Sequence, residues 1–258
     1  MIFLKSEKDI ACMKPACELT ARILRQLGEK VNPGTTTMEI NDYAGELCKE
    51  AGARPLFLNY PGSHSGQPEF PGIICASPNE VVVHGVPNGT PLKEGDIFSA
   101  DFGCQLKGFC GDSAFTYAVG QISEEAQKLL DVTREALRRG IEQVVVGNRV
   151  GDISWAIQSY VESEGCGIVR TLVGHGIGRN MHEDPQVPNY GNPNEGDKLR
   201  AGMTIAIEPM ITQGNYEVHT LKDKWSVATR DGSLSAHYEH VVAILSDGPE
   251  ILTVENGQ

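Results

Sequence analysis

One spacing recurs along the chain and narrows the folds open to it. Gly34 and Gly147 lie 113 positions apart, as do Thr20 and Thr133, Leu24 and Leu137, Glu39 and Asp152, and Ile40 and Ile153. A single match is chance. Several at one offset, within a repeated order of helix, glycine-containing turn, helix and strands, predict two similar α/β halves, roughly 1–122 and 123–258, made by internal duplication. No linker-like composition separates the halves, so the 258 residues are expected to form one domain with a cleft between them. A chain that is 40% hydrophobic can build the core this requires.

Ser6-Glu7-Lys8-Asp9 resembles a capping box, and Ile10, Met13, Cys17, Leu24 and Leu27 follow at helical spacing until Gly28 stops the run; Pro15 is expected to kink the first turns or delay the start. A second helix is predicted from Thr36 or Thr37 to Gly52, with Glu39 completing its cap. Pro55 to Pro78 reads as a Pro- and Gly-rich loop whose aromatics, Tyr60 and Phe70, are expected to be exposed and to wall a pocket. Val81 to His84 reads as a strand. Ser123 caps a long helix, and Asp152 opens another that ends near Gly165.

Within the first half, D-F-G-C-Q-L-K-G-F-C-G-D from Asp101 to Asp112 reads as a hairpin with a turn near Leu106-Lys107-Gly108. Symmetric pairing about Leu106 and Lys107 sets Asp101 opposite Asp112, and carboxylates that close repel unless a proton or cation lies between them. Alone, each has a plainer explanation, Asp101 as a solvated strand end and Asp112 as a turn residue. Later, His175 stands in G-H-G-I-G, Glu208 ends the strand Met203 to Ile207, and Glu239 begins the strand Glu239 to Leu245. Two Asp, two Glu and one His form an oxygen-rich set that suits two divalent ions. Two such ions would neutralise four carboxylates, and paired ions are a recurrent hydrolytic device.

Composition narrows the partners. A net charge of −12 without clustered Lys and Arg argues against nucleic acid. The N-terminus turns charged after three apolar residues, and no apolar run reaches a membrane span, so the chain is expected in the cytoplasm and off the membrane. Seven cysteines without a C-x-x-C favour neither a disulfide framework nor a zinc finger.

Six ordered motifs carry a resemblance. They are V-V-H-G-V-P around His84, G-D-I-x-x-x-D-F-G around Asp101, G-D at Asp112, G-H-G-I-G-R-x-M-H-E-x-P around His175 and His182, I-E-P-M around Glu208, and S-A-x-Y-E-H around Glu239. Over essentially its whole length the chain resembles the type I methionine aminopeptidases, bacterial-type members of the M24 metallopeptidases. Only 25 residues separate His182 from Glu208, too few for the long helical insertion of type II enzymes. The resemblance implies an α+β pita-bread (creatinase/aminopeptidase) fold, two pseudo-symmetric halves around an antiparallel sheet. It also implies two divalent ions, Co, Mn, Fe or Zn, with Asp112 and Glu239 bridging, Asp101 on one ion, and His175 with Glu208 on the other.

The implied reaction is removal of the initiator methionine from nascent polypeptide N-termini, at the ribosome or after release, when the next residue is small and uncharged, by a monomeric enzyme. Glu208 is the expected base, His182 the donor to the oxyanion, and His84 a contact to the scissile amide. Tyr60, Phe70, Cys75, Met181 and Trp225 are expected to line the methionine slot. The sequence departs from the family around Gly62 to Phe70, which looks long and contains His64, expected to be an ordinary loop residue. It departs again at Cys110, where a larger side chain is common, and at Met181, where an aromatic is usual. A proline-specific peptidase of the same fold and a non-catalytic relative are the alternatives; the first usually carries an additional N-terminal domain, and the second loses ligands.

Overall fold

The structure is a computed structural model and describes residues 1–63 and 66–254, so His64 lies outside the described residues. The first half contributes α1 (Glu7–Gly28), α2 (Thr37–Glu50), β1 (Arg54–Pro55), β2 (Cys75–Pro78), β3 (Val81–Val83), β4 (Ile97–Leu106) and β5 (Phe109–Ala118). Next come α3 (Glu124–Glu142), α4 (Val150–Ser163), β6 (Gly167–Ile168), β7 (Gly174–Gly176), β8 (Glu183–Val187), β9 (Thr204–Ile207) and β10 (Met210–Thr212). The chain closes with β11 (Val218–Thr220), β12 (Val227–Thr229), β13 (Ser235–His237), β14 (His240–Leu245) and β15 (Gly248–Ile251).

The residues matched at the 113 spacing make matching contacts. Gly34 and Gly147 both take positive φ, +95° and +104°, and their N–H groups donate to Leu92 and Leu199 carbonyls. Thr20 and Thr133 each return a hydroxyl hydrogen bond to the carbonyl four residues back. The Glu39 carboxylate accepts from Thr36 N and that of Asp152 from Arg149 N, both at 2.7 Å. Asp152 therefore sits at the third helical position and caps α4 from inside; the helix opens at Val150.

Each helix pair covers one flank of the sheets. Ile23, Leu24, Leu27 and Ile40 pack with Phe98, Phe102 and Cys104, while Leu129, Leu137, Ile153 and Ile157 pack with Ile205, Ile207, Val242 and Ile244. The cap at Ser6 and Asp9 forms as expected, and α1 starts at Glu7 and runs through Pro15 without a delayed start. Gly28 is the last residue inside the helix rather than a stop beyond it. A Cβ there would lie 2.5 Å from the Tyr117 ring, so its smallness serves close packing of α1 on β5.

All strand pairs are antiparallel. The β4–β5 turn is Lys107-Gly108, with φ of 53° and 82°, the pair of positive values that a two-residue primed turn demands and that glycine supplies readily. Pairing is therefore centred one residue later than symmetry about Leu106-Lys107 implied. Asp101 pairs with Ala114, and Asp112 with Gly103, so the two aspartates share a face as diagonal neighbours instead of facing directly.

Candidate active site

Three antiparallel segments meet at the centre. The ladders of β10 with β13 (Met210↔His237) and of β9 with β14 (Ile207↔His240) continue one register, which sets Glu208 opposite Glu239. Strand β5 lies against this junction. Glu239 N donates to Ala114 O at 3.0 Å, and the Ser113 hydroxyl donates to Glu239 O at 2.6 Å. Asp112 is thereby carried to Glu239, and β7, paired with β9, brings His175 to both. One ligand atom from each of Asp112, His175 and Glu239 lies within 4.8 Å of the others. His175 Nε2 stands 3.8 Å from Asp112 Oδ2 and 3.7 Å from Glu208 Oε1. Asp101 borders the group from the diagonal position, paired across the sheet with Cys75.

Burial makes this cluster unfavourable as bare protein. It pushes Asp112 up to about 7 and raises Asp101, Glu208 and Glu239 well above the usual carboxylate range, with mutual repulsion adding to the last three. Burial also holds His175 and His84 down at about 4, so both are neutral at pH 7. Asp101 Oδ1, Asp112 Oδ1 and Glu239 Oε1 are buried without a hydrogen-bond partner among the described residues. Buried carboxylate oxygens with free lone pairs and no counter-charge are what a cation site requires, so the residues present fit divalent metal.

A cavity of about 680 Å³ opens over the cluster, and the residues expected to bind metal, catalyse or line the methionine slot all border it. Phe70, expected to be exposed, is 2% exposed, and Tyr60 is half-buried; both face the cavity, which Phe57, Pro61, Ser63 and Cys75 wall with them. Phe70 meets Trp225 edge-on at 5.3 Å, and Trp225 Nε1 donates to Pro68 O. His182 stands at the mouth with Nδ1 2.8 Å from the Tyr60 hydroxyl, and its ring meets that of His175 at 4.4 Å. Desolvation lowers the His182 pKa. His84 follows β3 with a φ of 57°, a left-handed conformation that swings it out of the strand into the cavity.

The sequence reading passed over His237, Asn189, Phe57 and Met210. His237 is 2% exposed, with Nε2 3.9 Å from Glu208 Oε2, and Asn189 donates to the Glu208 carbonyl at 3.1 Å. His237 had a signal, since strand alternation places it on the face of Glu239 two residues on. Asn189 had none, lying in a Pro- and Gly-rich stretch that reads only as turn.

The profile of metallopeptidase family M24 matches residues 11–246. The chain belongs to metallopeptidase family M24. It is 51% identical to a methionine aminopeptidase of Clostridium perfringens over 98% of this chain and 99% of that one, and 46% identical to methionine aminopeptidase 1 of Bacillus subtilis over 98% and 99%. Among solved structures, the methionine aminopeptidase of Rickettsia prowazekii superposes with a TM-score of 0.94 at 42% identity, covering 98% of this chain and all of that one. The Xaa-Pro dipeptidase of Bacillus anthracis shares the fold, with a TM-score of 0.77 at 20% identity, but only 63% of its chain is matched. The fold of this M24 chain is thus the expected pita-bread arrangement, and the chain is a metallopeptidase.

Proposed function

We propose that this M24 enzyme removes the N-terminal methionine from peptides and nascent proteins whose second residue is small and uncharged. The observation that carries the reading is the junction of the acidic cluster with an apolar, aromatic-walled slot in one cavity. Asp101 and Asp112 from one half, and His175, Glu208 and Glu239 from the other, would hold two divalent ions, Co, Mn, Fe or Zn. Asp112 and Glu239, the carboxylates that the family resemblance assigns as shared, each bring an oxygen within 4.8 Å of the other and of a His175 nitrogen. When bound, such ions supply Lewis acidity and make water a nucleophile near neutral pH.

The chain's own residues do the rest. Tyr60, Phe70, Cys75, Met181 and Trp225 surround an unbranched thioether, whose polarisable sulfur suits aromatic edges. Glu208 takes the proton of the attacking water and passes it to the departing amine. With the Tyr60 hydroxyl donating to Nδ1, the neutral His182 ring carries its proton on Nε2 and donates it to the oxygen that gains charge. His84 contacts the scissile amide nitrogen. Because both halves supply ligands, one chain forms a complete catalytic unit, and the enzyme acts as a monomer. Its substrates are cytoplasmic chains leaving the ribosome; no helix among the described residues is long and apolar enough to cross a membrane.

The test compares Met-Ala-Ser, Met-Lys-Ser, Leu-Ala-Ser and acetyl-Met-Ala-Ser with metal present. The first should be cleaved far fastest. An extra methylene is worth only about 1–3 kcal/mol in an apolar pocket, so Leu-Ala-Ser should be slow rather than inert. A Leu-Pro-Ser peptide run alongside and cleaved faster than Met-Ala-Ser would transfer the enzyme to the proline-specific class.

A further inference from the structure

The most deeply buried pairing of a Lys or Arg with a carboxylate among the described residues joins the N-terminal segment to the loop that carries His182. Lys5 Nζ lies 2.6 Å from Glu183 Oε2, with side-chain exposures of 7% and 5%. The pair closes a span of 178 residues. A buried ion pair repays its desolvation poorly, so stability alone is a weak reason for one here. Its position gives a better one. Glu183 immediately follows His182 and begins β8, and its other oxygen accepts from Asn180 N at 3.2 Å, which folds the connection between β7 and β8 onto the pair. Gly178 leaves the necessary space, since a Cβ there would lie 2.6 Å from Lys5 Cε and 2.8 Å from Glu183 Oε1. Lys5 is itself anchored through its N–H to Gly202 O at 2.7 Å. The opposite side of the loop is fixed by Cys110 N donating to Gly178 O and Gln105 donating to Arg179 O.

We propose that Lys5 is a positioning residue for His182, acting through its buried ion pair with Glu183. The inference rests on His182 working on substrate in this cavity. Without the pair the loop would keep its bonds to β4 and β5, the Gly176↔Glu183 pairing and the Tyr60 contact, but the residue that follows His182 would lose its buried side-chain anchor, and displacements of about 1 Å in a catalytic group can cost about 100-fold.

The metal-loaded full chain and its Lys5→Met variant are compared for kcat and KM on Met-Ala-Ser and for amide hydrogen exchange. The expected result is a kcat lower by roughly 10–100-fold with KM changed less than about threefold, and faster exchange confined to residues 178–183. A kcat within about twofold of the parent, or exchange that rises equally in α2, overturns the proposal. Should Lys5→Met fail to fold, Lys5→Met/Glu183→Gln leaves no charge unpaired and keeps an acceptor for Asn180; full turnover in this double variant also overturns it. If the parent cleaves no methionyl peptide, the proposed activity fails, and the exchange comparison still decides whether the pair holds the loop.

Discussion

Asp101 and Asp112 stand on adjacent strands of one tight hairpin and miss each other by a diagonal step, whereas Glu208 and Glu239 come from separate strands whose shared register sets them opposite. The hairpin pair is local and its placement follows from the turn. The glutamate pair depends on two ladders agreeing across a junction, with β5 clamping Glu239 from the side. Proximity in sequence therefore does not decide which carboxylates meet: Asp112, Glu239 and His175, distant in the chain, each bring one ligand atom within 4.8 Å of the others.

The largest expected effect separates shared from unshared ligands. Asp112→Ala or Glu239→Ala should abolish nearly all turnover and release both ions while the circular dichroism spectrum is kept, whereas Asp101→Ala should leave part of the metal bound. Metal analysis of the purified variants checks this, and normal turnover of either shared-ligand variant with excess metal would break the dinuclear reading. His182→Ala touches neither pair and should lower kcat by about 10²–10³ while sparing KM, the pattern of a lost transition-state donor. A raised KM at constant kcat would reassign it to ground-state binding.

Smaller effects probe the hairpin itself. A Cβ on Gly103 would lie 3.0 Å from Asp112 Oδ1 and 3.2 Å from Phe57, so Gly103→Ala should weaken metal affinity by about tenfold through Asp112 without unfolding the chain. Metal titration followed by calorimetry measures it. Chelation sharpens the comparison in another way. The clustered carboxyls have folded pKa values raised above their unfolded ones, so the folded metal-free protein holds more protons than the unfolded chain, and its stability falls as pH rises. The depressed histidines act in the opposite direction only below about pH 6.5. Between about pH 6.5 and 8, the Tm of chelated protein should fall with rising pH, and saturating metal should flatten the slope. Smallest is Gly108→Ala at φ +82°, which should cost about 1 kcal/mol, about 2–4 °C in Tm, and leave kcat unchanged.

Much of the site was legible because its residues sit in stiff local contexts: glycines around His175, Pro209 after Glu208, and strand ends for both glutamates. The hairpin register was missed because two-residue primed turns need positive φ at both positions, and Lys107-Gly108 meets that demand where Leu106-Lys107 does not. Phe70 was misjudged because a Pro- and Gly-rich segment carries no periodicity from which burial can be read. His237 sat in a motif position treated as free, although alternation pointed inward.

By itself the sequence determined the helices and their caps, the existence of the hairpin, the 113-residue spacing and which five acidic and imidazole residues to propose as ligands, since propensity, capping, turn chemistry and motifs act over a few residues. Only tertiary structure decided which atoms approach: that Asp112 meets Glu239 and His175, that Tyr60 orients His182, and that Lys5 reaches Glu183 across 178 positions. Such contacts depend on the register of strands distant in the chain and on desolvation summed over the whole fold, which no local stretch of sequence encodes.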